Sequence, residues 1–339
     1  MDVERLIKTA NALVAPAKGI LAADESSGTI QRRFDSINVE STEDNRRNYR
    51  ELLFRTEGAY NYISGIILFD ETLRQNGSDG TPLVKVLLDQ GILPGIKVDK
   101  GTQSLPSSPN ELVTEGLDGL RNRLNEYAEL GAVFTKWRGV ITISDDIPSD
   151  YCIETNAHAL ARFAALSQEA GLVPIVEPEV LMDGDHSIDR CLEVNEVTLK
   201  EVYSQLYRQR VVLEGTLLKP SMVLSGSTAN NRANADEVAI KTIECFSRSV
   251  PAAVPGIVFL SGGQSDQEAT TNLNAINKRA AEVNAPWQLS FSYGRGLQAS
   301  PLKAWSGEAN NVKAAQDAFH HRAKLTSAAR QGIYSPNME

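Results

Sequence analysis

Residues 167–179 read SQEAGLVPIVEPE, and the chain changes character three times within them. Ser167-Gln168-Glu169-Ala170 is a polar helical end that stops on Gly171, the residue type that best accepts the left-handed backbone of a helix C-cap. Leu172-Val173-Pro174-Ile175-Val176 follows at once, an apolar run without alternation, as in a strand covered on both faces. Glu177 and Glu179 then place two carboxylates at its far end. The same order recurs at YAELG, which stops on Gly131 and leads into AVFTKWRGVITI from Ala132.

Similar runs begin at Gly19 (GILAADES), Ile63 (ISGIILFDE), Leu93 (LPGIKVDK), Leu213 (LEGTLLKP), Gly256 (GIVFLSGG) and Trp287 (WQLSFSYGR). Successive starts are roughly 30 to 45 residues apart, room for a strand plus a crossover helix. The stretches Leu112–Leu130, Asn156–Ala170, Glu193–Arg210, Asp236–Val250 and Gln267–Val283 carry apolar residues at helical spacing between charges. At the start, Val3, Leu6, Ile7, Ala10 and Leu13 form one face of a further helix. Eight strand-helix units predict an α/β protein, a closed (β/α)8 TIM barrel with an N-terminal helix and extra C-terminal helices. An open doubly wound sheet is the competing layout. It would show a Gly-rich phosphate turn after the first strand, and AADESSGT is a poor one. The length of 339 residues allows one or two domains. No linker or composition shift divides the chain, so residues 1–339 read as a single catalytic domain with a short tail after about residue 334.

Net charge −9, without a basic tail or stripe, argues against a nucleic-acid partner. No apolar run is long enough to span a bilayer, and Met1–Ala15 lacks the apolar core of a secretory signal. Cys152, Cys191 and Cys245 are odd in number and widely spaced, as in a reduced cytoplasmic protein. His158, His186, His320 and His321 lack metal-ligand spacing on a shared element, so neither a metal nor a cofactor is expected.

In a barrel the C-terminal strand ends converge on one face, where the chemistry is done. Here they carry Asp24, Asp70-Glu71, Lys97 and Asp99, Lys136 and Arg138, Glu177 and Glu179, Lys219, Ser261-Gly262-Gly263, and Gly294-Arg295. The i,i+2 pairs Lys97/Asp99, Lys136/Arg138 and Glu177/Glu179 each point to one side of their strand. Buried charges need partners, and an inert layer of ion pairs would satisfy them as well as a catalytic site would. Lys219 ends an apolar run and is stopped by Pro220. Desolvation and a nearby cation such as Lys136 would favour the neutral amine, the form that attacks a carbonyl to make a Schiff base.

LSGGQS (Leu260–Ser265) and SYGRG (Ser292–Gly296) suggest an anion site. Glycine lets backbone N–H groups approach closely, and Arg295 supplies a forked donor. A tight turn explains either motif taken alone. A second anion site is suggested by DESSGTIQRR, with Ser26, Ser27, Thr29, Arg32 and Arg33, and with Lys97 from the third strand. A helix N-cap accounts equally well for its hydroxyls. Two phosphate sites flanking a lysine would describe a sugar bisphosphate.

The stretches KGILAADES, GIILFDETL, GIKVDKG, KWR, GLVPIVEPE, LEGTLLKP, FLSGGQS, NLNAINK and FSYGR together resemble the class I, Schiff-base, fructose-1,6-bisphosphate aldolases, in that family's order from Val14 to Tyr334. The resemblance implies a lyase of glycolysis and gluconeogenesis. It would cleave fructose 1,6-bisphosphate reversibly to dihydroxyacetone phosphate and glyceraldehyde 3-phosphate. Lys219 falls on the Schiff-base lysine, Glu177 on the acid/base with Glu179 beside it, and Asp24 on the aspartate that helps form and cleave the intermediate. Lys136 and Arg138 fall on the KWR site residues. Ser261, Gly262, Gly263, Ser292, Gly294 and Arg295 match contacts to the ketone-half phosphate. Ser26, Thr29, Arg33 and Lys97 match contacts to the other phosphate, Thr29 standing where animal members usually have serine. A homotetramer and secondary protein-binding roles are further expectations of the resemblance. Animal and plant members finish in a tyrosine that reaches the active site, and GIYSPNME carries no such residue in that place.

Overall fold

The computed structural model describes residues 1–339. Eight parallel strands close into a barrel: β1 Gly19–Ala23, β2 Ile63–Leu68, β3 Leu93–Lys97, β4 Phe134–Ile141, β5 Val173–Val180, β6 Leu217–Leu218, β7 Gly256–Phe259 and β8 Gln288–Tyr293. Each strand pairs with its neighbours in sequence, and β1 meets β8 with Ile20 opposite Ser292. Closure excludes the open-sheet alternative. Gly131 (φ 100°) and Gly171 (φ 76°) adopt the left-handed backbone that ends the preceding helices. Gly95 lies where any Cβ would come within 2.2 Å of the Phe134 ring, so β3 and β4 approach only because that side chain is absent.

Inward-facing side chains divide the barrel along its axis. Ile20, Ile67, Phe134, Val173, Ile175, Leu217 and Val258 form one apolar cluster with Leu6, Ala10, Leu13 and Val14. The N-terminal helix Val3–Leu13, capped by Asp2 accepting from the Arg5 amide at 3.0 Å, therefore plugs the end where the strands begin. Each fully buried leucine contributes roughly 1.5–3 kcal/mol. The C-terminal helix Val312–Arg330 is tied to the same end. Buried Arg330 donates to the carbonyl of Val14 at 2.6 Å and to those of Ala15 and Lys18, with no carboxylate beside it. Burial lowers its pKa to about 10.

Three expectations are corrected. Leu112–Leu130 is not one helix: Leu112–Thr114 pairs antiparallel with Thr102–Ser104, and helix forms only over Leu120–Glu129. Gly116 (φ 127°) and Gly119 (φ 66°) turn the chain between them. The sixth run becomes a 3-10 turn, Leu213–Gly215, followed by a two-residue strand. Asp70 and Glu71 lie beyond the end of β2 and open a short helix, Asp70–Arg74. Asp70 pairs with Arg74 at 3.0 Å, and Glu71 with Arg46 and Arg50 at 2.5 and 3.4 Å. Neither reaches the barrel mouth.

Candidate active site

The period of two along each strand continues past the apolar plug. Phe134 is followed inward by Lys136 and Arg138, Val173 and Ile175 by Glu177 and Glu179, and Leu217 by Lys219. The inner face changes from apolar to charged near the C-terminal strand ends, where a cavity of about 420 Å³ opens. Most of the residues named from sequence line it: Asp24, Ser26, Thr29, Arg32, Arg33, Lys97, Asp99, Lys136, Arg138, Glu177, Glu179, Lys219, Ser261, Gly262, Ser292, Gly294 and Arg295; Ser27, Asp70, Glu71 and Gly263 do not. Gly263 sits outside, with the Met182 methyl 2.8 Å from where its Cβ would stand. A hollow of about 460 Å³ between Leu120 and Arg162 lies on the outside of the barrel and gathers none of these groups.

Four charged side chains, three of them buried, form a chain at the cavity floor. Glu177 presents one oxygen to Lys219 Nζ and the other to Lys136 Nζ, both at 3.2 Å, and Lys136 also meets Asp24 Oδ2 at 2.7 Å. Two ammonium groups thus face two carboxylates. Burial would raise the Asp24 pKa, but the charges of Lys136, Lys219 and Lys97 and the contact with Lys136 hold its carboxyl well below the usual range. Burial opposes the charge on Lys136, but Asp24, Glu177 and Asp99 outweigh it and hold that amine well above its ordinary value. Asp24 is therefore an anion and Lys136 a cation at neutral pH. Sequence offers Lys136 as a cation near Lys219, and the structure interposes Glu177 between the two amines. The proton on Lys219 thereby has an acceptor within reach. Glu177 Oε2, close to Lys136 but outside hydrogen-bond alignment, is buried with no hydrogen-bond partner and is free to engage a hydroxyl in the cavity.

Cross-strand register orders the remaining charges. Lys136 aligns with Ile175 and Arg138 with Glu177, but each cation meets the carboxylate two residues further along β5. Arg138 pairs with Glu179 in this way. Lys97 is held by Asp99 at 2.5 Å.

Two clusters in the cavity wall offer anion contacts. At one, Ser292 Oγ is buried without a partner, Gly262 is left-handed (φ 55°), and Arg295 donates to the Gly262 carbonyl at the start of the helix Arg295–Trp305. At the other, Ser26 occupies the N-cap of the helix Ser27–Asp35 but makes no side-chain cap bond. Its hydroxyl lies 3.3 Å from that of Thr29, with Arg32 and Arg33 alongside. The N-cap explanation for these hydroxyls therefore does not hold for the Ser26 side chain. Glu25, Gly101 and Thr102 also line the cavity. Glu25 was not picked out from sequence because it follows Asp24 directly, and strand alternation would point it outward. It stands beyond the end of β1, where alternation no longer applies.

The ion chain gives a signed pH prediction. Asp24 is depressed in the fold, so its contribution to stability is full above about pH 4 and is lost as the pH falls through the lower folded value. Lys136 is raised, so its contribution is full below its ordinary value of 10.5 and is lost as the pH rises through the folded one. Urea midpoints measured against pH should fall less steeply in acid for Asp24→Asn than for the parent. Identical acid slopes would contradict the assigned shift.

Comparison with known proteins agrees with the geometry. The family model for class-I fructose-bisphosphate aldolase matches residues 5–339. A probable fructose-bisphosphate aldolase class 1 of Xanthomonas campestris pv. campestris is 57% identical over 98% of this chain and 99% of its own. A cytosolic fructose-bisphosphate aldolase of Arabidopsis thaliana is 54% identical over 97% of this chain and 83% of its own. The fructose-bisphosphate aldolase of Plasmodium falciparum, solved with TRAP and a small-molecule inhibitor, superposes with a TM-score of 0.96 at 48% identity, covering 98% of this chain and 95% of that one. A closed barrel, a floor of buried lysines and carboxylates, and likeness along nearly the whole length place this chain in the class-I fructose-bisphosphate aldolase family.

Proposed function

We propose that this chain cleaves fructose 1,6-bisphosphate reversibly through a Schiff base on Lys219. The observation that carries the reading is a buried amine, 3.2 Å from a buried carboxylate, on the floor of a cavity lined by two clusters of anion contacts. Lys219 passes a proton to Glu177, and its nitrogen adds to the C2 ketone. Glu177 then protonates the carbinolamine hydroxyl, water leaves, and an iminium forms. Asp24 accepts the proton of the C4 hydroxyl. The C3–C4 bond breaks, its electron pair moves into the iminium to give an enamine, and C4 departs as the aldehyde of glyceraldehyde 3-phosphate. Protonation of the enamine at C3 and hydrolysis release dihydroxyacetone phosphate and return the amine. Lys136 keeps Asp24 ionised and holds Asp24 and Glu177 in place. Ser261, Gly262, Ser292, Gly294 and Arg295 would take the ketone-half phosphate; Gly263 would hold the turn behind them. Ser26, Thr29, Arg33 and Lys97 would take the other phosphate, with Arg138 and Glu179 bracing the wall between.

Borohydride added with dihydroxyacetone phosphate should reduce the intermediate and leave a stable adduct on Lys219, read by peptide mass spectrometry. An unmodified Lys219 in chain that turns over would defeat the assignment. Glu177→Gln should lower kcat about 10²- to 10⁴-fold, the usual contribution of a positioned acid/base. Rapid-quench measurement should show slower formation of the trapped adduct; formation at the parent rate would remove Glu177 from that step.

As further parts of this reading, residues 1–339 form one catalytic unit that works in the cytoplasm, as the plant relatives named cytosolic do. No helix is long and apolar enough to cross a membrane. The unit assembles as a homotetramer, which light scattering on a sizing column would test. TRAP in the Plasmodium structure supports a secondary protein-binding role for this chain as well.

A further inference from the structure

We infer that Glu25 is a positioning residue that sets Arg33 for one phosphate of the substrate, an inference that rests on the function proposed above. A carboxylate lining an anion pocket is unexpected on electrostatic grounds, because it repels the ligand. Its contacts supply a reason. The Glu25 side chain is only 4% exposed, and its Oε1 accepts from Arg33. The same oxygen accepts from Gln298 Nε2 at 2.8 Å, and Gln298 is anchored in turn to the Ala22 carbonyl of β1 at 2.6 Å. Buried Arg50 fixes the Glu25 backbone carbonyl at 2.8 Å. Glu25 is thus held from both sides while it holds Arg33.

The contact uses one guanidinium nitrogen. Arg33 Nη2 lies 3.5 Å from where a Cβ of Gly294 would stand, so the fork rests against the turn that follows β8. Its remaining donors are left for the cavity, which Arg33 lines beside Ser26 and Thr29. A long arginine side chain otherwise loses considerable rotamer freedom on binding. Glu25 removes part of that cost beforehand, which is preorganisation of a binding group. The second Glu25 oxygen is buried without a hydrogen-bond partner, so the contacts of the carboxylate run through Oε1 to Arg33 and Gln298.

Two effects of removing the Glu25 charge oppose each other, and their sum decides the inference. Loss of repulsion would tighten binding of a phosphate at this end; loss of Arg33 placement would weaken it. Glu25→Gln is expected to raise the ratio of KM for fructose 1,6-bisphosphate to KM for fructose 1-phosphate about tenfold, the scale of one charge-assisted contact. In an Arg33→Ala background the same substitution should leave that ratio unmoved. A ratio that falls or stays level in Glu25→Gln, or a shift that persists without Arg33, overturns the inference. If Glu25→Gln does not fold, Gln298→Met decides: a rise in the ratio supports the placement and a level ratio overturns it. The parent chain separates this outcome from the larger reading. Failure of the parent to form the borohydride adduct sinks the proposed chemistry, whereas normal adduct formation with an unmoved ratio sinks only the role of Glu25.

Discussion

A Lys219→Met chain is expected to cleave fructose 1,6-bisphosphate at least about 10⁴-fold more slowly than the parent, because a covalent mechanism has no substitute for its nucleophile. Methionine keeps most of the side-chain volume, so the cavity floor stays filled. Glu177 keeps Lys136 at 3.2 Å, which limits the damage to folding. Thermal melting should therefore shift far less than turnover does. Coupled turnover and borohydride trapping read the two consequences separately: turnover collapses and no peptide carries the adduct. Turnover within tenfold of the parent, or an adduct on Lys136, would falsify the assignment of the reacting amine.

Lys136→Met should lose both stability and activity. Lys136 is 4% exposed and lies between Asp24 and Glu177. Removing it strands buried negative charge, a change that costs about 3–5 kcal/mol for a broken buried pair. The linkage has a definite sign. Without this cation, burial at Asp24 is opposed only by the charges of Lys219 and Lys97, its carboxyl takes up a proton more readily, and the penalty shrinks as the pH falls. The gap in urea midpoint between parent and variant should accordingly narrow in acid. Activity should drop about a thousandfold or more near neutrality, because a preorganised charge that holds two reacting carboxylates is lost. A variant as stable as the parent at neutral pH would show that the two carboxylates do not depend on this amine. An undiminished kcat would show that the amine braces the fold alone.

That Lys219 and Lys136 face the same interior was legible in LLKP and TKWR, because strand alternation is a local property of the backbone. The contact of Lys136 with Asp24 was not legible. β1 and β4 are not neighbours in the sheet, so no ladder between them sets a register; only closure of the barrel brings the two ends across from each other. Likewise Arg138 aligns with Glu177 but pairs with Glu179, because each cation on β4 meets β5 two residues further along. Spacing within one strand carries no information about that offset.

The helix stops, the apolar runs and the polar strand ends, by themselves, set the repeating strand-helix order, favoured a closed parallel barrel over an open sheet, and named most of the residues that line its mouth. They could do so because caps, periodicity and run length act over a few residues. Tertiary structure decided which charges neutralise one another. It placed Glu177 between two lysines, turned Asp70 and Glu71 away to Arg74, Arg46 and Arg50, and gave Glu25 a hold on Arg33. Those partnerships depend on distances across the barrel between residues far apart in the chain, and burial makes each of them strong enough to govern the chemistry.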